Sequence, residues 1–233
     1  QMTELNSNNI CGLLPGFEVN KTLTSLNISN NHIKSKGAIS LFKSLMNSSL
    51  AEIYLSDNSI QDDISPFFVS FLQKCKTIRK VDLSGNQLGF RLTTSISGNI
   101  SSTFELNTLI LARNPLGSRG ISSLGPYLSN NDKLERLNVN GCQIDAKGFI
   151  DFCEDLSRNE SLKLIEIQHN PLSDRGIVKL AESIVEHPTL KFLDLEMTEL
   201  SDEGCQALMT SISAPTSKII KLNLKNNLIC SGI

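Results

Sequence analysis

Between Leu134 and Ile144 the chain reads LERLNVNGCQI, with apolar side chains at the first, fourth, sixth and eleventh positions and mostly polar or small ones between. The same ladder begins at Leu23, Leu50, Ile78, Leu106, Leu162, Leu190 and Ile219, which makes eight copies of L-x-x-L-x-L-x-x-N-x-L. The position filled by Asn in most copies falls at 31, 58, 86, 114, 142, 170, 198 and 227, spaced by 27 to 29 residues. The L-x-L alternation predicts a short strand with one buried face and one variable, outward face. The second half of each copy changes period. Ile177, Leu180, Ala181 and Ile184, spaced by three and four, predict a helix with one apolar stripe. A glycine precedes the stripe in five copies, at Gly37, Gly120, Gly148, Gly176 and Gly204, where backbone elements are expected to approach closely.

These motifs resemble those of leucine-rich repeat proteins, and the period near 28 resembles the ribonuclease-inhibitor-like subclass, over about residues 20 to 233. The resemblance implies an α/β solenoid, a horseshoe of about eight repeats with a parallel inner sheet and outer helices. It also implies that Asn or Cys serves interchangeably at the turn after the strand. Cys142 is therefore expected to be a buried rung between Asn114 and Asn170, with Thr198 in the same role two copies on. The other cysteines, Cys11, Cys75, Cys153, Cys205 and Cys230, show no C-x-x-C pair or metal spacing, so reduced, mostly buried thiols are expected.

Departures from the pattern carry their own expectations. In copy two Ser65–Pro66 suggests an N-cap followed by a first-turn proline, ahead of Phe67, Phe68 and Phe71. Copy three is rich in Ser, Thr and Gly, which predicts a short, distorted or mobile helix around Leu92–Ile100. Residues 1–20 read as a degenerate capping repeat, with Leu13, Leu14 and Phe17 covering the first core face, ahead of a repeat domain over residues 21–233. Ile229 and Ile233 leave an apolar end, so the chain is expected to continue or to be covered there.

Composition narrows the function. The net charge is −2 and the pI about 6.0, which offers no global attraction to nucleic acid. Mean hydropathy is −0.07, and no apolar run suits membrane insertion. No secretory leader is visible, and the Cys-rich end caps of extracellular members are missing, so a cytoplasmic protein is expected and the five N-x-[ST] sequons carry no weight. None of the three histidines stands at a catalytic or metal spacing, and no nucleotide, cofactor or hydrolase motif is present. Ser173–Asp174 and Ser201–Asp202 are expected to cap helices rather than to do chemistry. The chain is therefore read as no enzyme, with no cofactor and no metal.

Function is then expected on the outward strand positions, which a horseshoe presents on its concave face. Glu166, Asp194 and Glu196 fall together beside Leu164, Phe192 and Met197, and these carboxylates are expected to repel unless a basic partner meets them. His169 lies beside them. Lys80, Arg113 and Arg136 are expected to share roughly one zone, and Tyr54, in the central outward column on copy two, is also expected to meet the partner. The reading is a monomeric, non-catalytic module that recognises a partner protein. Three alternatives stay open: a regulator of an enzyme, of GTPase-activating or inhibitor type; a cytoskeletal or ciliary scaffold; and a bacterial effector delivered into host cytosol.

Overall fold

In the computed structural model, which describes residues 5–99 and 104–230, the alternating segments form one sheet. Its strands are Ser25–Asn27 (β1), Glu52–Tyr54 (β2), Lys80–Asp82 (β3), Thr108–Ile110 (β4), Arg136–Asn138 (β5), Leu164–Glu166 (β6), Phe192–Asp194 (β7) and Lys221–Asn223 (β8). They lie in chain order, all parallel, with equivalent positions in register: Arg136 opposite Leu164, Leu164 opposite Phe192, Phe192 opposite Lys221. The helices are Leu14–Val19 (α1), Lys34–Leu45 (α2), Ser65–Lys74 (α3), Phe90–Ser97 (α4), Gly117–Ser129 (α5), Ala146–Leu156 (α6), Ser173–Ile184 (α7) and Asp202–Ile212 (α8). Each packs on its neighbours in sequence, so strand and helix alternate along an α/β solenoid.

The core lies between the sheet and the helices. The middle residue of each strand from β2 to β7 is buried, as is the apolar residue two positions later: Ile53 and Leu55, Leu137 and Val139, Leu193 and Leu195. Ile177, Leu180, Ala181 and Ile184 face them from α7. Each fully buried Leu or Ile contributes about 1.5–3 kcal/mol relative to exposure. Phe68 and Phe71 of α3 pack against Phe42 of α2 with centroids 5.5 and 5.3 Å away, while Phe67 is half-buried under the Lys43 ammonium.

The turn after each strand holds the buried rungs. Asn170 Nδ2 donates to the carbonyls of Val139, Ile167 and Gln168, and its Oδ1 accepts from the backbone N–H groups of Cys142 and Ile144. Asn86 does the same between copies two and three. The residue before each rung takes a left-handed φ of 54–63° in all eight copies, from Asn30 to Asn226. Cys142 is a rung as expected: fully buried, its Sγ donates to Leu111 O at 3.2 Å.

Cys142 and Thr198 lack an amide oxygen, and the preceding copy compensates. Leu116 N–H bonds Asn114 O, and Leu172 N–H bonds Asn170 O, each at 2.8 Å across a single intervening residue. That residue is Pro115 in one copy and Pro171 in the other, whose fixed φ near −65° suits so tight a turn. The two prolines of the N-P-L copies thus stand where the next rung cannot accept.

A second ladder runs along the helix-to-strand turns. Asn131 Oδ1 accepts from Lys133 and Leu134 N–H, and Asn159 Oδ1 from Ser161 and Leu162 N–H. His187 Nδ1 takes the equivalent place, accepting from Thr189 and Leu190 N–H. Asn159, one of the sequons, is only 1% exposed and bonded at both ends of its amide.

Several local expectations are corrected. Ser65 is the first helical residue rather than a cap; its Oγ donates back to Asp62 O in a 3-10 turn over Asp62–Ile64, and Pro66 occupies the first turn. Ser173 opens α7 and Ser201 stands at the N-cap position of α8, as expected, but neither side chain makes a cap hydrogen bond to its own helix. The capping is done across copies: Asp174 on α7 accepts from Ser201 N (2.8 Å) and Gly204 N (3.1 Å) at the start of α8, and Asp62 accepts from Gly89 N and Arg91 N at the start of α4. Burial opposes the charge of Asp174, but the Ser201 hydroxyl and these N–H donors outweigh it and hold its carboxyl below the usual value. α4 is short, eight residues, and Ile100 lies outside the described residues. Gly148 is required by close approach, since a Cβ there would stand 2.3 Å from Ser118 O.

At the N-terminal end Leu5 N–H bonds Asn31 Oδ1 and His32 N–H bonds Leu5 O, so this segment joins the first rung. The residue that seals the core there is Ile10, fully buried, with Leu14 and Phe17 half-buried; Leu13, expected to share this role, is exposed. At the other end Ile229 packs partly on the core while Ile220 and Leu228 are exposed; Ile233 lies outside the described residues.

Candidate functional site

The sheet face away from the helices carries the variable side chains. On β6 and β7 it dips into a shallow hollow of about 270 Å³ lined by Leu164, Glu166, Phe192, Leu193, Asp194, Lys221 and Asn223. Leu164, Glu166, Phe192 and Asp194 were grouped from their strand positions, and the register places them side by side. Lys221 and Asn223 were not singled out; their signal was the eighth copy of the ladder, which puts them opposite Phe192 and Asp194.

Each carboxylate here already has hydrogen-bond donors within the chain. Glu166 is held by Arg136, whose Nε and Nη2 donate at 2.7 and 3.0 Å. Asp194 accepts from Gln168 Nε2, from Asn223 Nδ2 at 2.9 Å and from Glu196 N at 3.3 Å. Glu196 accepts from Asn223 Nδ2 at 3.1 Å and from Asn226 Nδ2 at 2.8 Å. The amide side chains between the acids satisfy their lone pairs, which spacing along the sequence did not reveal. They are dipoles, however, not cations. Among the described residues neither Asp194 nor Glu196 forms an ion pair, so their charge stays uncompensated at close range.

The other candidates separate. Met197 (44% exposed) and His169 sit on neighbouring left-handed turns just past β7 and β6, at the border of the same surface. Arg113 instead reaches over Gly85 to Asp57 at 3.0 Å. Gly85 has φ +63°, and a Cβ on it would meet Asp57 Oδ1 at 2.0 Å, so this pair needs glycine beneath it. Tyr54 donates its hydroxyl to Glu52 at 2.8 Å, and the Lys80 ammonium lies 4.8 Å over its ring. With strands about 4.8 Å apart, this cluster on β2 and β3 is about 14–19 Å from β6. Lys80 and Arg136 stand in one register column two strands apart, about 10 Å, with Arg113 in the copy between them, and each is turned to a different partner.

Reactive groups are not gathered on this surface. Burial pushes the Cys142 thiol up to about 12, although two backbone contacts pull the other way, and burial raises Cys153 further still. His187, 2% exposed, is pushed down to about 4 by burial, and its Nε2 has no hydrogen-bond partner among the described residues. No described helix is long and apolar enough to cross a membrane.

A family model described as leucine-rich repeat matches residues 19–42, 74–89, 130–153, 158–181 and 186–209. No curated protein matches the chain. The matched segments start on the strand side of a copy and, in four of the five, run on into the following helix.

Proposed function

Because the chain belongs to the leucine-rich repeat proteins, whose arrays are protein-interaction modules, we propose that it is a non-catalytic recognition module whose concave sheet face meets a partner protein at copies five to seven. The observation that carries this reading is the hollow on β6 and β7, where half-buried Leu164 and Phe192 are rimmed by Glu166, Asp194, Lys221 and Asn223. An apolar floor with a polar rim is the composition of a binding patch, and large aromatic side chains dominate such patches energetically. The sheet supports it rigidly: every strand is hydrogen-bonded to its neighbours and the rungs beneath are buried, so little ordering is needed on binding.

The test is affinity capture from cell lysate with three forms of the chain. Wild type, a Phe192→Ala/Asp194→Lys double variant and a Glu203→Lys variant on the exposed side of α8 are compared by mass spectrometry. The reading expects a protein captured by wild type and by Glu203→Lys and lost from the double variant. Capture that survives the double variant, or is lost equally from both, would overturn the placement of the site.

A further inference from the structure

The hollow has an internal template one strand away. Parallel strands repeat one another at a step of about 4.8 Å, so a contact made across one pair shows what the same offset holds at the next. Arg136, the first residue of β5, reaches the last residue of β6, Glu166, and binds it through two N–H groups at 2.7 and 3.0 Å. One strand further on, the first residue of β6 is Leu164 and the last of β7 is Asp194. The carboxylate is repeated and the guanidinium is not. Beside Asp194, where that offset falls, lies the hollow of about 270 Å³ over Leu164 and Phe192. Among the described residues Asp194 is hydrogen-bonded only by neutral donors, Gln168, Asn223 and the Glu196 N–H, so its charge is open to a cation.

We propose that this hollow binds an arginine side chain displayed by the partner protein, its guanidinium paired with Asp194 and lying against the ring of Phe192. The proposal rests on the recognition reading above and adds the chemistry of what is recognised. A guanidinium is planar, weakly hydrated and able to make two parallel hydrogen bonds to one carboxylate, which suits a site with an acidic edge and an aromatic floor. Its three-carbon stem covers apolar surface such as Leu164. The chain uses both contacts elsewhere, in the Arg136–Glu166 pair and where the Arg119 guanidinium lies 3.9 Å from the centre of the Phe90 ring. Other charges nearby act in opposite senses. Glu196, sharing the Asn223 amide with Asp194, favours a bound cation; Lys221, which lines the hollow, and Lys225 on the same edge disfavour it.

The experiment is a titration of the whole ¹⁵N-labelled chain with N-acetyl-arginine amide, N-acetyl-lysine amide and N-acetyl-leucine amide at matched ionic strength, read from backbone amide shifts. The arginine probe should move the amides of Leu164, Phe192, Asp194 and Asn223 and bind more tightly than the other two. Asp194→Asn should weaken it about tenfold, the loss of one charge-assisted contact. Lys221→Ala should tighten it. Leu164→Arg should abolish it, because that variant supplies from within the guanidinium that Arg136 supplies to Glu166. If the leucine probe fills the hollow equally in wild type and Asp194→Asn, and arginine does no better, the proposal fails while the recognition reading stands. If no probe moves any amide of the sheet face, both fail. Should Leu164→Arg not fold, Asp194→Asn and Lys221→Ala decide the matter alone.

Discussion

Replacing Asn170 tests the rungs that hold the sheet face in place. Asn170 is fully buried and makes five side-chain hydrogen bonds of 2.9–3.0 Å. Asn170→Ala removes all five. Gln168 O keeps a bond from Gly141 N–H at 2.8 Å, but Cys142 N–H and Ile144 N–H lose the acceptor they share. Two buried, orphaned donors cost about 1–3 kcal/mol each, so the loss should be about 3–5 kcal/mol, against a typical domain stability of about 5–15 kcal/mol. Followed by circular dichroism in urea, with a slope of about 2–3 kcal/mol per molar, the midpoint should fall by about 1–2.5 M. Asn170→Thr should cost less, since Thr198 in the equivalent slot still donates to Leu195 O at 2.9 Å. Proline then separates this account from simple loss of packing. Gln143 has φ +59°, which proline cannot adopt, so Gln143→Pro alone should cost at least about 1–3 kcal/mol. Combined with Asn170→Thr, it allows the turn seen at Pro115 and Pro171, in which Ile144 N–H reaches Cys142 O. The double variant should be no less stable than Asn170→Thr alone. A loss below about 1 kcal/mol for Asn170→Ala, or an equal proline penalty in both backgrounds, would refute the reasoning.

Three further outcomes are expected. His187 binds its proton less readily folded than unfolded, so its contribution is complete above pH 6.5 and is lost as pH falls toward 4; stability should drop by about 2 kcal/mol between pH 8 and 5 through this group, and urea midpoints of His187→Asn, which keeps an acceptor for Thr189 and Leu190, should lack that component. Among the described residues the buried Tyr127 hydroxyl has no hydrogen-bond partner, so Tyr127→Phe should be neutral or raise the melting temperature, by up to about 1 kcal/mol of stability; a clear loss would show that the hydroxyl is bonded in solution. Gly148→Ala forces a methyl group against the Ser118 carbonyl and should cost about 1–3 kcal/mol in the same urea assay, whereas alanine at the open Gly16 should cost little.

The ladder of strands was legible because its period is locked by stacking: each inward Leu or Ile must meet its equivalent, so the spacing of 27 to 29 residues survives variation elsewhere. The same logic grouped Leu164, Glu166, Phe192 and Asp194 and identified Cys142 as a rung. Direction of reach was not legible. Arg136 turns to Glu166 and Arg113 to Asp57, 30 and 56 residues away, and nothing in their spacing chooses one neighbour over another. Other signals stood in the sequence unrecognised. Pro115 and Pro171 follow Asn in the copies that precede Cys142 and Thr198, and the pairing has meaning only once the rung's two accepted N–H groups are known. His187 gave no signal beyond its lack of a catalytic or metal spacing, because the turn ladder it joins mixes Asn and His and so shows no repeating letter. The capping acids were assigned to their own helices, since capping is usually local; close packing of successive helices lets Asp174 serve α8 instead.

Site-specific photo-crosslinking tests most directly whether the sheet face at β6 and β7 is a protein-binding surface. Benzoylphenylalanine is placed at position 192, within the hollow, or at position 209, where Met209 of α8 is exposed on the helical side. After irradiation in cell lysate, position 192 should give a discrete high-mass adduct that excess unlabelled wild type removes and excess Asp194→Lys variant does not, while position 209 gives none. Adducts of equal yield from both positions, or none from position 192, would contradict that role.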